Sequence, residues 1–358
     1  MHNPAVKQAR KPYVSFITCG RNDGYGSGLV GMQHSLDILV RQLQDVGLEA
    51  EIVIIDWNPP DDAPGLQQAL RFPDAGSCVS IRVIVVPQRF HRRYRRHEYR
   101  GLHAAAACNV GLRRARGQFA LIRPGDVYYT QAVLARIARR DLDERTVYRV
   151  DRCDIDAAAL ASAPRDPAPF LEACSRHIVQ RHGAAPPPPE FGIRALHTNA
   201  CGDFMLTSAA LLHELRGYEE GSDVVSPDCD GLFFHGAVGG GARQENWPDP
   251  CRVYKPAHAQ ITARTTEPVF RAHERFLDAL AARLGAARLR LRLRILLDYP
   301  RRRMRGLPGT FPSYERNMLR PAQRWARSRE PFWMNDENWG LAGESLEERT
   351  VSPGGWER

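Results

Sequence analysis

At 358 residues, with 43% hydrophobic and 25% charged content, the chain can bury one large core or two closely packed ones. That composition excludes a disordered or fibrous protein. The net charge of +9 is concentrated in two arginine-rich stretches, residues 89–100 and 288–305, which suit polyanions, acidic membrane surfaces or phosphorylated substrates, or a plain solvated surface.

In chain order, Tyr13–Thr18 reads as a strand, and Met32, Leu36, Leu39, Val40, Leu43 and Val46 recur at helical spacing before a stop at Gly47. Ile52–Ile55 and Ile81–Val86 are nearly continuous apolar runs, as expected of strands covered on both faces. A helix is expected over about 101–115, a strand at Phe119–Ile122, a helix at Ala132–Ala138 and a strand at Val147–Val150. Such alternation predicts an α/β fold, a mainly parallel twisted sheet flanked by helices. Residues 157–190, alanine- and proline-rich and ending in Pro186–Pro189, read as a stiff surface connection. Order returns over 197–260, with a strand near Phe204–Leu206 and helices at 208–216 and 228–238. From 266 a helical and irregular C-terminal extension is expected: a helix over 267–297, a Pro/Arg/Gly-rich tract and the aromatic stretch Pro331–Leu341.

Ligands of open α/β sheets lie beyond the carboxyl ends of the strands, so the loops after Thr18, Ile55, Val86 and Ile122 should carry the chemistry. The first loop, Thr18-Cys-Gly-Arg-Asn-Asp23, is small and polar, and the second strand ends in Asp56-Trp-Asn58, whose carboxylate can accept hydrogen bonds from a ribose or a base; ordinary turn chemistry would select similar residues. Gly26-Ser-Gly-Leu-Val-Gly31 spells G-x-G-x-x-G, but the strand ends well before Gly26, so the match is read as coincidental. The fourth strand runs into Arg123-Pro-Gly-Asp126, where the carboxylate could hold a divalent ion or simply cap a turn. Asp203 and Asn199 lie in a polar segment before a strand, and Asp228 and Asp230 stand where a helix would start, as caps or as a general base. His258 closes a short strand and, from spacing alone, is not singled out.

The eight cysteines are scattered without a Cys-x-x-Cys pair, which argues against a zinc ribbon. The first eleven residues are polar, no signal-peptide core follows, and no apolar run approaches the ~20 residues of a membrane span. A cytoplasmic chain with reduced cysteines is therefore expected.

Taken together, these segments resemble GT-A-fold glycosyltransferases, specifically family 2-like bacterial enzymes. The resemblance is carried by Tyr13–Asp23, Glu51–Asn58, Asn109–Phe119 leading to Asp126, His197–Phe204, Leu215–Tyr218 and Asp230–Phe234, and so spans about 12–260. It implies a catalytic domain over 1–265, with a nucleotide-binding half at 12–150 and an acceptor half at 190–260. It further implies a nucleoside contacted by Thr18, Gly20, Arg21, Asn22 and Asp56, with Asn109 and Arg113 lining the site. Asp126 matches the last acid of the Asp-x-Asp metal motif, for Mn2+ or Mg2+, and His258 the later metal-binding histidine. Asp230 matches the region of the catalytic base, and Asp203, Asn199 and Asp228 would face donor sugar or acceptor. The motif's first acid is missing: Pro124 stands there. Asn335–Leu341 resembles a tail motif of similar proteins, without an assigned role.

The expected activity is transfer of a sugar from a nucleoside-diphosphate sugar to a glycan, lipid-linked or other hydroxyl acceptor. A nucleotidyltransferase on a related fold and a non-catalytic binding protein are the alternatives. Nucleic acid is not an expected partner. The alternating leucines and arginines of Ala286–Arg305 fit a helix packed on the domain with snorkelling arginines, or one lying on an acidic membrane at its inner face.

Overall fold

A computed structural model describes residues 11–24, 28–95, 97–98, 100–156, 164–184, 196–221, 229–257, 323–324, 333–352 and 355–356. The element order is β1 (Val14–Gly20), α1 (Gly28–Val46), β2 (Ala50–Trp57), α2 (Leu66–Ala69), β3 (Val79–Val86), α3 (Gln88–His91), α4 (Ala104–Arg113), β4 (Phe119–Ile122), β5 (Tyr128–Tyr129), α5 (Gln131–Ala138) and β6 (Thr146–Arg149). It continues with β7 (Asp151–Ile155), α6 (Pro167–Arg176), β8 (Ile178–His182), β9 (Met205–Ser208), α7 (Ala209–Leu215), α8 (Cys229–Gly239), β10 (Arg243–Asn246), β11 (Arg252–Pro256), β12 (Glu347–Ser352) and β13 (Gly355–Trp356). Asp228, His258, the Gly26 end of the glycine motif, Pro186–Pro189 and the 267–297 helix with its arginines lie outside the described residues.

The expected α/β architecture is present. A nine-stranded sheet runs β10-β6-β9-β4-β1-β2-β3-β12-β13, and its centre, β4-β1-β2-β3, is parallel. All eight residues of β2 are buried because helices cover both faces, which is why its sequence shows an apolar run instead of alternation. On one face α1 and α5 pack through Leu36, Leu39, Leu43, Val133 and Ile137; on the other α4, α7 and α8 pack through Val110, Leu211 and Phe233. β9 enters antiparallel between β4 and β6. A second sheet, β5-β11-β7-β8, lies over the third cluster of Tyr128, Phe170, Cys174 and Tyr254.

The described end of the chain returns to the domain. β12 pairs antiparallel with β3 along Glu347–Val351, and Glu348 receives a 2.6 Å bond from Arg82, whose Nε lies 2.9 Å from the buried Glu51 of β2. The tail motif is a clasp. Asn335 donates to the Arg216 and Tyr218 carbonyls, Gly340 N–H donates to Glu220 at 2.7 Å, and Arg113 stacks on the buried Trp339 at 4.9 Å. Gly340 has φ +61°, and a Cβ there would lie 2.5 Å from the Asn109 carbonyl. Gly340→Ala combines left-handed strain with a clash against helix backbone, so it is expected to destabilise the fold by about 2–4 kcal/mol, read as a lowered thermal midpoint.

Candidate functional site

Parallel pairing sets the first part of the site. In register, Gly20 of β1 lies beside Asp56 of β2, so both strands release their loops at the same level. Side chains alternate along a strand, which turns Thr18 and Gly20 toward α1 and Cys19 toward α4. A Cβ on Gly20 would meet Leu66 and Met32, and the Cys19 thiol lies 3.9 Å from the Ala104 carbonyl. Arg21 donates to the Asn58 carbonyl at 2.6 Å and to Asp23 at 3.0 Å, while Asn22 donates to the Pro64 carbonyl at 2.9 Å. These bonds fasten the first loop across the second.

Asp56 is fully buried. Its Oδ2 accepts from Leu66 N–H at 2.7 Å, while Oδ1 has no partner among the described residues; the same holds for Thr18 Oγ1 and Asn58 Oδ1. Buried polar atoms without partners are uncommon, and these three stand together at adjacent strand ends. Burial pushes the Asp56 carboxyl up to about 6, against the opposing pull of Leu66 N–H and Arg21. The folded carboxyl keeps its proton to a higher pH than the unfolded one, with its ordinary value of 3.8, so raising the pH through about 4 to 7 destabilises the fold by about 2–3 kcal/mol. Asp56→Asn is therefore expected to raise the thermal midpoint at pH ~7.5 and to lose that advantage near pH ~4; an advantage that grows on acidification would contradict it.

Asp126 follows β4 in a turn that Arg123 closes by donating to the Val127 carbonyl at 2.8 Å. Gly125 and Gly20 both approach Met32 of α1, which brings the two loops to one end of the sheet. β11 pairs with β5 in the register Tyr254↔Tyr128, which lays Lys255 alongside the Asp126–Val127 segment. The Lys255 ammonium contacts Asp203 Oδ1 at 2.7 Å, and Arg152 contacts Asp203 Oδ2 at 2.5 Å. Burial disfavours the charged lysine, but Asp203 and Asp126 outweigh it and raise its pKa. Burial likewise opposes the Asp203 carboxylate, and Lys255 with Arg152 outweighs that and lowers its pKa. Asp203 thus anchors two cations with both oxygens.

The described residues do not fit a divalent ion well. Such an ion wants several hard oxygen ligands. Of the expected ligands Asp126 alone is described, Pro124 brings no oxygen donor on its side chain, and the Lys255 ammonium, held by Asp203, is close enough for Asp126 to act on its charge. Among the described residues no group of three or more His, Cys, Asp or Glu side chains is placed to hold a metal.

The second half approaches from the α4 face. Asp230 stands in the first turn of α8, where the positive helix end favours an anion, and its Oδ1 accepts from Gly231 N–H at 2.9 Å. A Cβ on Gly202 would lie 2.8 Å from Asp230 Oδ2, so the glycine leaves the space that this carboxylate occupies. The Cys201 thiol bonds Asp230 and, mainly through burial, has a raised pKa. Asp230 also acts on Cys108, whose sulfur is 3.8 Å from Cys19 at the end of β1.

Arg149, which the sequence reading passed over, builds this turn. Fully buried at the end of β6, it donates to the carbonyls of His197, Asn199, Cys201 and Phe204. Asn199 contributes its carbonyl to that set, and its amide reaches the Gly183 carbonyl at 3.3 Å. His197 is pushed down to about 4 by burial and by Arg149, so it is neutral at neutral pH. Asn109 is also buried. Its amide donates to the Tyr218 carbonyl at 2.7 Å and to Glu220 at 3.0 Å, and its oxygen accepts from Tyr218 N–H at 2.8 Å. The structure therefore commits Asn109 and Arg113 to the clasp that fixes the 216–220 segment.

No family model matches the chain, and no curated protein matches it by sequence. Solved structures do. Residues 1–349 of S. aureus TarS match at 15% identity over 68% of this chain and 60% of that one, with a TM-score of 0.39. The same fragment in complex with UDP-GlcNAc matches at 14% identity over 71% of this chain and 61% of that one, again at 0.39. The chain thus spans about three fifths of each of these two chains. A likeness this remote carries no functional argument, which rests on the residues. Among the described residues no helix is long and apolar enough to cross a membrane.

Proposed function

We propose that the chain is a glycosyltransferase that moves a sugar from a nucleoside-diphosphate donor to a hydroxyl acceptor. The observation that carries this reading is the set of buried, unpartnered polar atoms of Thr18, Asp56 and Asn58 at the ends of β1 and β2. Hydroxyl and carboxylate groups there suit the ribose hydroxyls and base N–H groups of a nucleoside, whose diphosphate would extend toward the Asp126 loop. Asp230, seated on the Cys201–Gly202 turn, is the proposed base. It takes the proton of the acceptor hydroxyl as that oxygen attacks the anomeric carbon, and the bond to the diphosphate breaks on the opposite side. One in-line displacement inverts the anomeric centre. Asp203 and Asn199 act on substrate through the positions they fix, and the roles of Asp228 and His258 as acceptor contact and metal ligand stay with the family resemblance.

Incubating the protein with a panel of sugar nucleotides and a mixed glycan and lipid-linked acceptor set tests the reading. A released nucleoside diphosphate with a glycosylated product supports it. Pyrophosphate released from a nucleoside triphosphate and a sugar phosphate would assign the site to nucleotidyl transfer instead.

A further inference from the structure

The charge that develops on a departing nucleoside diphosphate must be met by a cation. Pro124 removes one carboxylate from the place where a divalent ion would be held, and the β5–β11 register brings Lys255 to the remaining acid, Asp126. The lysine is largely buried and its head is fixed rather than solvated: Asp203 Oδ1 holds it at 2.7 Å, and Asp203 is itself held from its other oxygen by Arg152 at 2.5 Å. An ammonium has three N–H donors, so the bond to Asp203 leaves capacity for phosphate oxygens. Arg152 is shared with Asp154, 2.8 Å from its Nε, whereas the ion pair of Lys255 among the described residues is with Asp203.

We propose that Lys255 is the cation that receives the donor diphosphate, performing with a fixed ammonium what a metal ion would do beside Asp126. This rests on the sugar-nucleotide reading above. When the bond between the anomeric carbon and the diphosphate oxygen breaks, its electron pair stays on that oxygen, and the ammonium stabilises the charge by hydrogen bonding while keeping its proton. The acceptor's proton goes to Asp230, so the lysine is neither acid nor base in the step. Substrate binding is accordingly independent of divalent metal.

The test is calorimetric titration of the full chain with UDP, GDP, CDP, ADP and dTDP, each in EDTA and again in MnCl2, with the matching nucleosides as controls. The diphosphate that binds is expected to bind equally well in both buffers. Lys255→Gln should weaken it about tenfold or more, as loss of one charge-assisted hydrogen bond requires, and leave the nucleoside unaffected; Lys255→Arg should restore most of the loss. Metal independence is read on the wild type, so it stands even if Lys255→Gln does not fold. Diphosphate binding that needs manganese, or that Lys255→Gln leaves unchanged, overturns the lysine's role while sparing the sugar-nucleotide reading. No binding of any nucleoside or diphosphate in either buffer overturns that reading, and this inference with it.

Discussion

Asp230→Asn is expected to lower sugar transfer about 10²–10⁴-fold, the usual contribution of a positioned general base, while donor binding stays unchanged and stability falls only by about 0.3–1 kcal/mol, which the anion gains from the helix end. Asparagine keeps the shape of the side chain and an oxygen for Gly231 N–H, and it fits the same gap above Gly202. What it loses is the ability to take a proton. The effect therefore falls on kcat, with the donor's KM unaltered. A variant that turns over at the wild-type rate would remove Asp230 from the chemistry and favour a non-catalytic role for this face. The contrast is Asp203→Asn, which loosens the hold on Lys255 and Arg152 and should cost stability as well as binding.

Arg149→Met should have the largest effect on stability, about 3–5 kcal/mol, seen as a clear fall in thermal midpoint. The guanidinium is fully buried, and burial lowers its pKa despite the influence of Cys201, Asp203 and Asp230. Its donors are spent on four backbone carbonyls of one segment, 197–204. Methionine fills much of the volume but leaves those carbonyls in an apolar interior without donors. Because the same segment seats Asp230, turnover should fall with stability. Lysine is a poor substitute, since one ammonium cannot span acceptors that a planar fork reaches together. A midpoint within about a degree of wild type would show that the loop holds itself.

The central fold was legible because its parallel strands are covered on both faces. β2, β3 and β4 are therefore written as apolar runs, and Gly47, with φ +62°, ends α1 where its sequence suggests. β7, α6 and β8 were not legible within the stretch read as a stiff connection and its approach. Asp151-Arg-Cys-Asp-Ile155 pairs with Ile178-Val-Gln-Arg-His182, strands dressed in polar contacts such as the Arg181–Asp151 ion pair and the His182–Asp154 hydrogen bond. β12, Glu347–Ser352, is equally polar, and its place beside β3 depends on residues far apart in sequence. The expected extension from 266 is refined accordingly, because its described last part completes the main sheet and the clasp on α4.

The site shows the same division. The places of Thr18, Arg21, Asn22 and Asp56 at the ends of β1 and β2 were legible because a strand end announces itself locally. Asn109 was named through the family resemblance as lining the nucleotide site, and the structure shows its side chain bonded to the backbone of Tyr218, more than a hundred positions away. Arg149 carried one weak signal, an arginine closing the strand Val147-Tyr-Arg-Val150. Lys255 carried none, since its meaning comes from Asp203 and from the register of β11 on β5.

The most direct test of the account is nucleoside-diphosphate affinity measured on the wild type and on Asp56→Asn at neutral pH. The account predicts one saturable site in the wild type, weakened about tenfold or more in the variant even as the variant becomes the more stable fold. Equal affinity in the two proteins would contradict it, because the buried carboxylate at the end of β2 would then have no part in recognising the nucleoside.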